Sequence, residues 1–161
     1  MKRLQPYTPM RWSNSPRYAQ IHDMVTDLLI RTEPGRYAAA LKDFRAEWKP
    51  VGAQVHLVEL MADLDCRLHG CLCLETEILR EGMEACAGEG VTHEMALGRA
   101  FVRDCEGPNL LDRLSSYQSH LSRELSQCIR LLTQSRKRRS RHKARMTAKL
   151  MRSKPCTSVI Q

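Results

Sequence analysis

Aromatic side chains are scarce in this chain: two Trp, four Tyr and two Phe make up 5% of its 161 residues. A core cannot rest on them, which leaves Leu, Met, Ala and Cys, and the first three of these are strong helix formers. Helices are favoured over a β-sandwich. Long apolar runs are also missing. Nothing approaches the roughly 18 to 20 consecutive apolar residues of a membrane span, and the opening "MKRLQPYTPMRWSNSPRY" holds no apolar stretch of the kind that makes a secretory signal. The expectation is a soluble, cytoplasmic protein with no membrane span. A glycine-rich phosphate loop, a nucleophile elbow, a paired-acid motif and an HExxH sequence are likewise lacking. With no catalytic constellation legible, the chain is expected not to be an enzyme and to carry no cofactor.

What is present is unevenly distributed. The net charge is +8, yet ten Lys/Arg and no acid fall between Arg136 and Lys154, so the remainder carries −2. Setting aside Lys2, Arg3, Arg11 and Arg17 as well leaves −6 for residues 19–135. The middle is acidic and both ends are basic. Seven cysteines, an odd number in a chain with no secretory signal, point to reduced thiols and no disulfides.

Residues 1–18, rich in Pro, Ser and Arg without periodicity, are expected to form a disordered basic tail. "IHDMVTDLLI" (21–30) is too short to classify by period and reads as a weak helix. The next segment places Pro34 in a first turn and Tyr37, Leu41, Phe44 and Trp48 at steps of three and four, predicting a helix over about 34–48, closed by Pro50 and Gly52. From Ala53, the positions Leu57, Leu60, Met61, Leu64, Leu68, Leu72, Ile78 and Leu79 fall within roughly a 120° arc, predicting a long helix over about 53–85 that the glycines at 82, 88 and 90 close. Thr92 is a candidate N-cap for a short helix over about 92–103. Leu110, Leu114, Tyr117, Leu121, Leu125, Cys128 and Leu132 then lie within about 80° of one another, on a helix over about 109–139. Two long stripes bury each other best when packed antiparallel. The expected fold is all-α: an elongated, coiled-coil-like helical hairpin with the Pro34 helix laid across it, forming one domain over 19–135. Residues 136–161 are expected to be a basic tail that starts helical and becomes disordered.

The densest chemistry is "DCRLHGCLC" (65–73). It contains no CxxC pair, and zinc sites usually take four ligands from two such pairs. With Leu64 as the origin, helical phase puts Cys71 at about −20°, inside the core stripe. Cys66 falls at about 200°, His69 at about 140° and Cys73 at about 180°, all on the opposite face. Cys66, His69 and Cys73 are thus the candidate metal ligands, or a redox-sensitive thiol pair, but no fourth ligand is apparent. The favoured reading is that free cysteine acts here as a small apolar residue and that no metal is bound. Glu75 falls in the stripe and is read as lying at the hairpin's wet edge or pairing with an Arg.

The basic run is the strongest functional hint. Arg136, Lys137, Arg138, Arg139, Arg141, Lys143, Arg145 and Lys149 supply the charge density that binds phosphates by counterion release without reading bases. The expected partner is nucleic acid, bound non-specifically. A different class of partner is suggested by Ser115, Ser119, Ser122 and Ser126, a row of small residues that lets a second helix approach closely, either in a homo-oligomer or from another helical protein.

Residues 33–139 carry a wider pattern. "GRYAAALKDFRAEWKPVGAQVHLVELMADLDCRLHGCLCLETEIL" and "ALGRAFVRDCEGPNLLDRLSSYQSHLSRELSQCIRLLTQSRKRR" resemble a widespread family of bacterial proteins. Tyr37, Leu41, Phe44, Arg45, Glu47, Pro50, Leu57, Val58, Arg67, Leu68 and Glu75 fit its first pattern, and Tyr117, Leu121, Arg123, Leu131 and Leu132 its second. Ser116 and Gln118 depart from the Arg and Glu expected around the tyrosine. Cys66 stands in place of a Trp, which suggests a packing position. The resemblance implies a helical fold and brings no established activity.

Overall fold

A computed structural model describes residues 16–152. Within them the chain forms five helices, α1 (Pro16–Thr32), α2 (Arg36–Trp48), α3 (Gln54–Cys86), α4 (His93–Glu106) and α5 (Leu110–Arg152). The fold is all-α, with no strand among the described residues. Of the tails expected at 1–18 and 136–161, residues 1–15 and 153–161 lie outside the described residues, while 16–18 belong to α1 and 136–152 to α5.

α3 and α5 form the antiparallel hairpin. Arg67 of α3 lies beside Tyr117, and Gln54, at the start of α3, is met by Arg139 far along α5. Their two stripes make the core: Val58, Met61, Leu64, Cys71 and Leu74 from α3 pack with Leu114, Tyr117, Leu121, Cys128 and Leu132 from α5. α3 is the hub, in contact with each of the other four helices. α2 buries none of its residues and rests Leu41, Phe44 and Trp48 half-covered against the core, tied down by Arg45 to Glu59 (3.1 Å). It ends where Lys49 turns into the left-handed region (φ 43) ahead of Pro50.

Four sequence-based expectations change. The weak helix at 21–30 is part of α1, which starts at Pro16, where the missing N–H costs no hydrogen bond, and buries Ile21, Val25 and Leu28. Gly82 does not close α3, which runs on to Cys86. It marks a helix crossing, where a Cβ would sit 2.9 Å from the Ala100 Cβ of α4, so the two backbones meet through small residues. Leu72 is no core residue, being 58% exposed, because it lies at the rim of the α3 stripe beyond the reach of α5. Finally, the hairpin helix expected over about 109–139 and the helical start expected of the basic run form one continuous α5 to Arg152.

α1 crosses α3 at Gly70, where a Cβ would come within 2.8 Å of both Leu29 Cγ and Val25 Cγ1. This glycine, within "DCRLHGCLC", lets α1 lie close against α3 while it also reaches α5. Thr92 caps α4, its hydroxyl accepting from the Met95 amide (3.3 Å). The α4–α5 corner is built around buried Asp104, whose two carboxylate oxygens accept from the Leu110 and Leu111 amides (2.9 and 3.0 Å) at the start of α5. A negative charge there suits the positive end of the helix dipole.

Candidate functional site

The basic run is the C-terminal part of α5, and every residue from Arg136 to Ala148 is exposed. Helical phase divides its charges. Carried forward from Leu110, the core stripe continues through Arg136 at about 80°, Arg139 at about 20° and Lys143 at about 60°. Two of these arginines dock on the body of the protein. The Arg136 guanidinium stacks 4.8 Å from the Trp48 ring centroid, and its Nη2 donates to the Glu47 carbonyl (2.9 Å) at the end of α2. Arg139 Nη2 donates to Gln54 Oε1 (2.8 Å) and to the Val51 carbonyl (3.3 Å). Of the eight candidate nucleic-acid ligands, Arg136 and Arg139 thus pin α5 to the α2–α3 corner.

Lys137, Arg138, Arg141 and Arg145 fall instead between about 180° and about 280°, the face turned away from the core. Past Arg139 the helix runs on beyond the start of α3 for about 20 Å. Sequence reasoning missed Arg123 and Arg130, both exposed. At about 220° and about 200° respectively, they extend the same line of charge back along α5. The signal was available, since both share the phase of Lys137. Ser122, Ser126 and Gln127 lie between them in a shallow groove. From Leu125 to Arg152 there is no acidic residue. Ser115, Ser119, Ser122 and Ser126 are all exposed on this outward face.

The cysteine–histidine cluster is rearranged relative to expectation. Cys66 is buried and lines a small cavity of about 200 Å³ with Arg36, Tyr37 and Leu29. Burial, helped by nearby Asp65, pushes its thiol up. Two cysteines seven residues apart on a helix are separated by about 10.5 Å, too far for a disulfide, so Cys66 and Cys73 are not a redox pair. His69 and Cys73, one turn apart, do converge, with Sγ 3.5 Å from Nε2. Their third neighbour is Glu33, from the α1–α2 turn, whose Oε1 lies 2.7 Å from the same His69 nitrogen. Glu33 Oε2 accepts from Arg36 Nη1 (3.4 Å), and the His69 hydrogen bond, then the Arg36 charge, hold the Glu33 carboxyl below its ordinary range. Cys71, fully buried, is pushed up by burial to about 12, and Cys128 to about 11. The six cysteines among the described residues are all free.

A second polar cluster joins α1, α3 and α5. His22 Nδ1 lies 3.0 Å from the Tyr117 hydroxyl, Arg67 Nη1 approaches both His22 ring nitrogens, Nδ1 more closely than Nε2 (3.0 Å), and Arg67 Nε donates to Asp63 (2.9 Å). A guanidinium only donates, so the His22 nitrogen it meets must be unprotonated. Burial and then the Arg67 charge hold His22 below its ordinary range, consistent with that neutral ring. Burial pushes the Tyr117 phenol up. These groups satisfy one another and clamp α1 onto the hairpin. Glu75 is half-buried on α3.

An open cleft of about 690 Å³ lies between α1, α3, α4 and the start of α5, floored by Leu28, Leu74, Ile78 and Gly82. Asp104 borders it with both oxygens already engaged by backbone amides. No helix among the described residues is long and apolar enough to cross a membrane. No protein-family model, curated protein sequence or solved structure matches the chain.

Proposed function

We propose that this is a non-catalytic helical protein that binds nucleic acid non-specifically through the outward face of α5. The observation that supports this reading best is the sorting of charge by helical phase. Arg136 and Arg139 fix the helix to the body, while Lys137, Arg138, Arg141 and Arg145 face away from it, in line with Arg123 and Arg130. A rigid helix with a one-sided basic stripe presents its charges at fixed spacing to a phosphate backbone, and the neighbouring serine hydroxyls add hydrogen-bond donors. Nothing on that face resembles a base reader. Lys143, on the opposite side of the free segment, is a secondary contact. A second copy of this chain fits the serine row poorly, because Arg123 and Arg130 flank it and would repel their counterparts.

The test is a pair of full-length variants. Replacing Lys137, Arg138, Arg141 and Arg145 together by Gln should weaken duplex DNA or RNA binding by roughly tenfold or more while leaving the fold unchanged. Replacing Arg136 and Arg139 by Gln should loosen the α2–α3 corner, read by Trp48 fluorescence, and change affinity far less. Equal binding by the first variant and the parent would remove the stripe from the account. Stopping the chain at Gln134 is a poorer test, because it also removes both docking arginines.

A second reading, a protein-interaction module, is favoured by one observation. The outer side of α4 exposes Phe101 (51%), Val102 (56%) and Met95 (47%) around Gly98. Light scattering of the parent and Phe101→Glu checks it: a concentration-dependent mass lost in the variant supports the module, and a strict monomer in both opposes self-association.

A further inference from the structure

Glu33, His69 and Cys73 present three different donor atoms, all within 4.8 Å of one another, from two segments of chain. We propose that they form a binding site for one divalent transition-metal ion of the zinc class, with water as the fourth ligand. This inference goes beyond the nucleic-acid reading and stands or falls independently of it.

The geometry is close to what a tetrahedral ion needs. With zinc bonds of about 2.0 to 2.3 Å, a nitrogen and a sulfur on one ion stand ~3.6 Å apart, and a nitrogen and an oxygen ~3.4 Å apart. The Cys73 Sγ to His69 Nε2 distance is already 3.5 Å. The Glu33 Oε1 to His69 Nε2 distance is 2.7 Å, a hydrogen bond that must open by ~0.7 Å to admit the ion. All three residues are half-buried rather than sealed, with the His69 and Glu33 side chains 30% and 37% exposed, which leaves room for the water.

The arrangement suits a metal better than a nucleophilic triad. In a Cys–His–acid triad the thiol and the acid engage opposite nitrogens of the ring, so that the acid orients the base. Here Glu33 and Cys73 both approach Nε2. Three donors converging on one point is a coordination pattern, and the proton now shared there is what the ion would replace. Sulfur ligates zinc as thiolate and imidazole through an unprotonated nitrogen, so the ion takes the place of the Cys73 thiol proton and of the hydrogen bond at His69 Nε2.

Supporting contacts are in place. Arg36 holds Glu33 Oε2 (3.4 Å) and leans toward Asp65 (3.8 Å), which leaves Oε1 aimed at the site. Outer partners of this kind fix ligand orientation in metal sites. The Glu33 amide donates to the Leu29 carbonyl (2.9 Å), so the turn carrying the ligand is itself anchored to α1. An ion here would tie the α1–α2 turn to the middle of α3.

The test uses the full, reduced, metal-free chain titrated with Co(II) and then with Zn(II). One equivalent of cobalt should give a near-ultraviolet thiolate-to-metal band that zinc abolishes. Cys73→Ser should remove the band, and His69→Ala and Glu33→Gln should weaken binding by at least about tenfold. Cys66→Ala should bind normally, with circular dichroism confirming the fold of each variant. A second readout needs no variant: zinc should slow alkylation of Cys73 and leave that of exposed Cys105 unchanged. A band that survives Cys73→Ser, the lack of any band in the parent, or equal alkylation of Cys73 with and without zinc would each overturn the proposal.

Discussion

Replacing Gly70 by Ala probes the helix crossing on which the candidate metal site depends. In an exposed helix interior, Gly→Ala stabilises by about 1 kcal/mol through backbone entropy. Gly98 on α4, where an added Cβ meets nothing within 4 Å, should show that gain. At Gly70 the same methyl would lie 2.8 Å from Val25 Cγ1 and Leu29 Cγ, inside contact distance. Val25 is β-branched, fully buried and stiff at χ1, so it cannot swing aside, and α1 must lift from α3. Overpacking of this kind costs about 1–3 kcal/mol. Set against the propensity gain, the net is a loss of about 0–2 kcal/mol for Gly70→Ala. The two alanine variants should thus differ by about 1–3 kcal/mol, and a chain of this size shifts its Tm by about 2–4 °C per kcal/mol. Urea unfolding followed by circular dichroism measures both. Gly70→Ala stabilising as much as Gly98→Ala would mean that α1 does not cross α3 there.

Asp104→Ala should lose about 1–2 kcal/mol of stability, since it uncaps the Leu110 and Leu111 amides, and Asp104→Asn should lose less because one acceptor remains; chemical denaturation ranks the three proteins. His22 adds a pH dependence. Its folded pKa is lowered from 6.5, so below pH 6.5 the unfolded chain takes up the proton first. Its contribution is full above 6.5 and is lost as pH falls from there through the lowered folded value. Unfolding free energies at several pH values should therefore decline on acidification more steeply for the parent than for His22→Gln, and parallel curves would contradict the neutral-ring assignment.

Periodicity makes the hairpin legible. The α5 stripe from Leu110 to Leu132 is buried or half-buried at every position named, because seven apolar residues in one narrow arc leave a helix a single way to face. The α3 stripe is less legible at its ends. Leu72 sits at the rim of the arc, and only the width of the partner helix decides whether such a residue is covered. Gly82 reads as a terminator because glycine lowers helix propensity, but the approach of Ala100 gives it a packing role inside α3, which a local reading cannot show. Two of the three residues of the metal cluster are legible, as the one-turn spacing of His69 and Cys73. Glu33 is not, since it lies 36 residues away on a turn that reaches His69 only because α1 folds across Gly70. The docking of Arg136 and Arg139 could have been read by extending the α5 phase past Leu132, where both fall on the core side.

The central claim, that the outward face of α5 is a phosphate-binding surface, is tested most directly by the salt dependence of binding. Fluorescence anisotropy of a labelled random-sequence duplex, titrated with the full-length chain at several salt concentrations, gives log K against log salt. With Arg136 and Arg139 docked, the free charges make about five or six contacts, and the slope should lie near −5, falling by about 0.9 for each of Lys137, Arg138, Arg141 and Arg145 replaced by Gln. A slope near zero, or one that these replacements leave unchanged, would contradict the account.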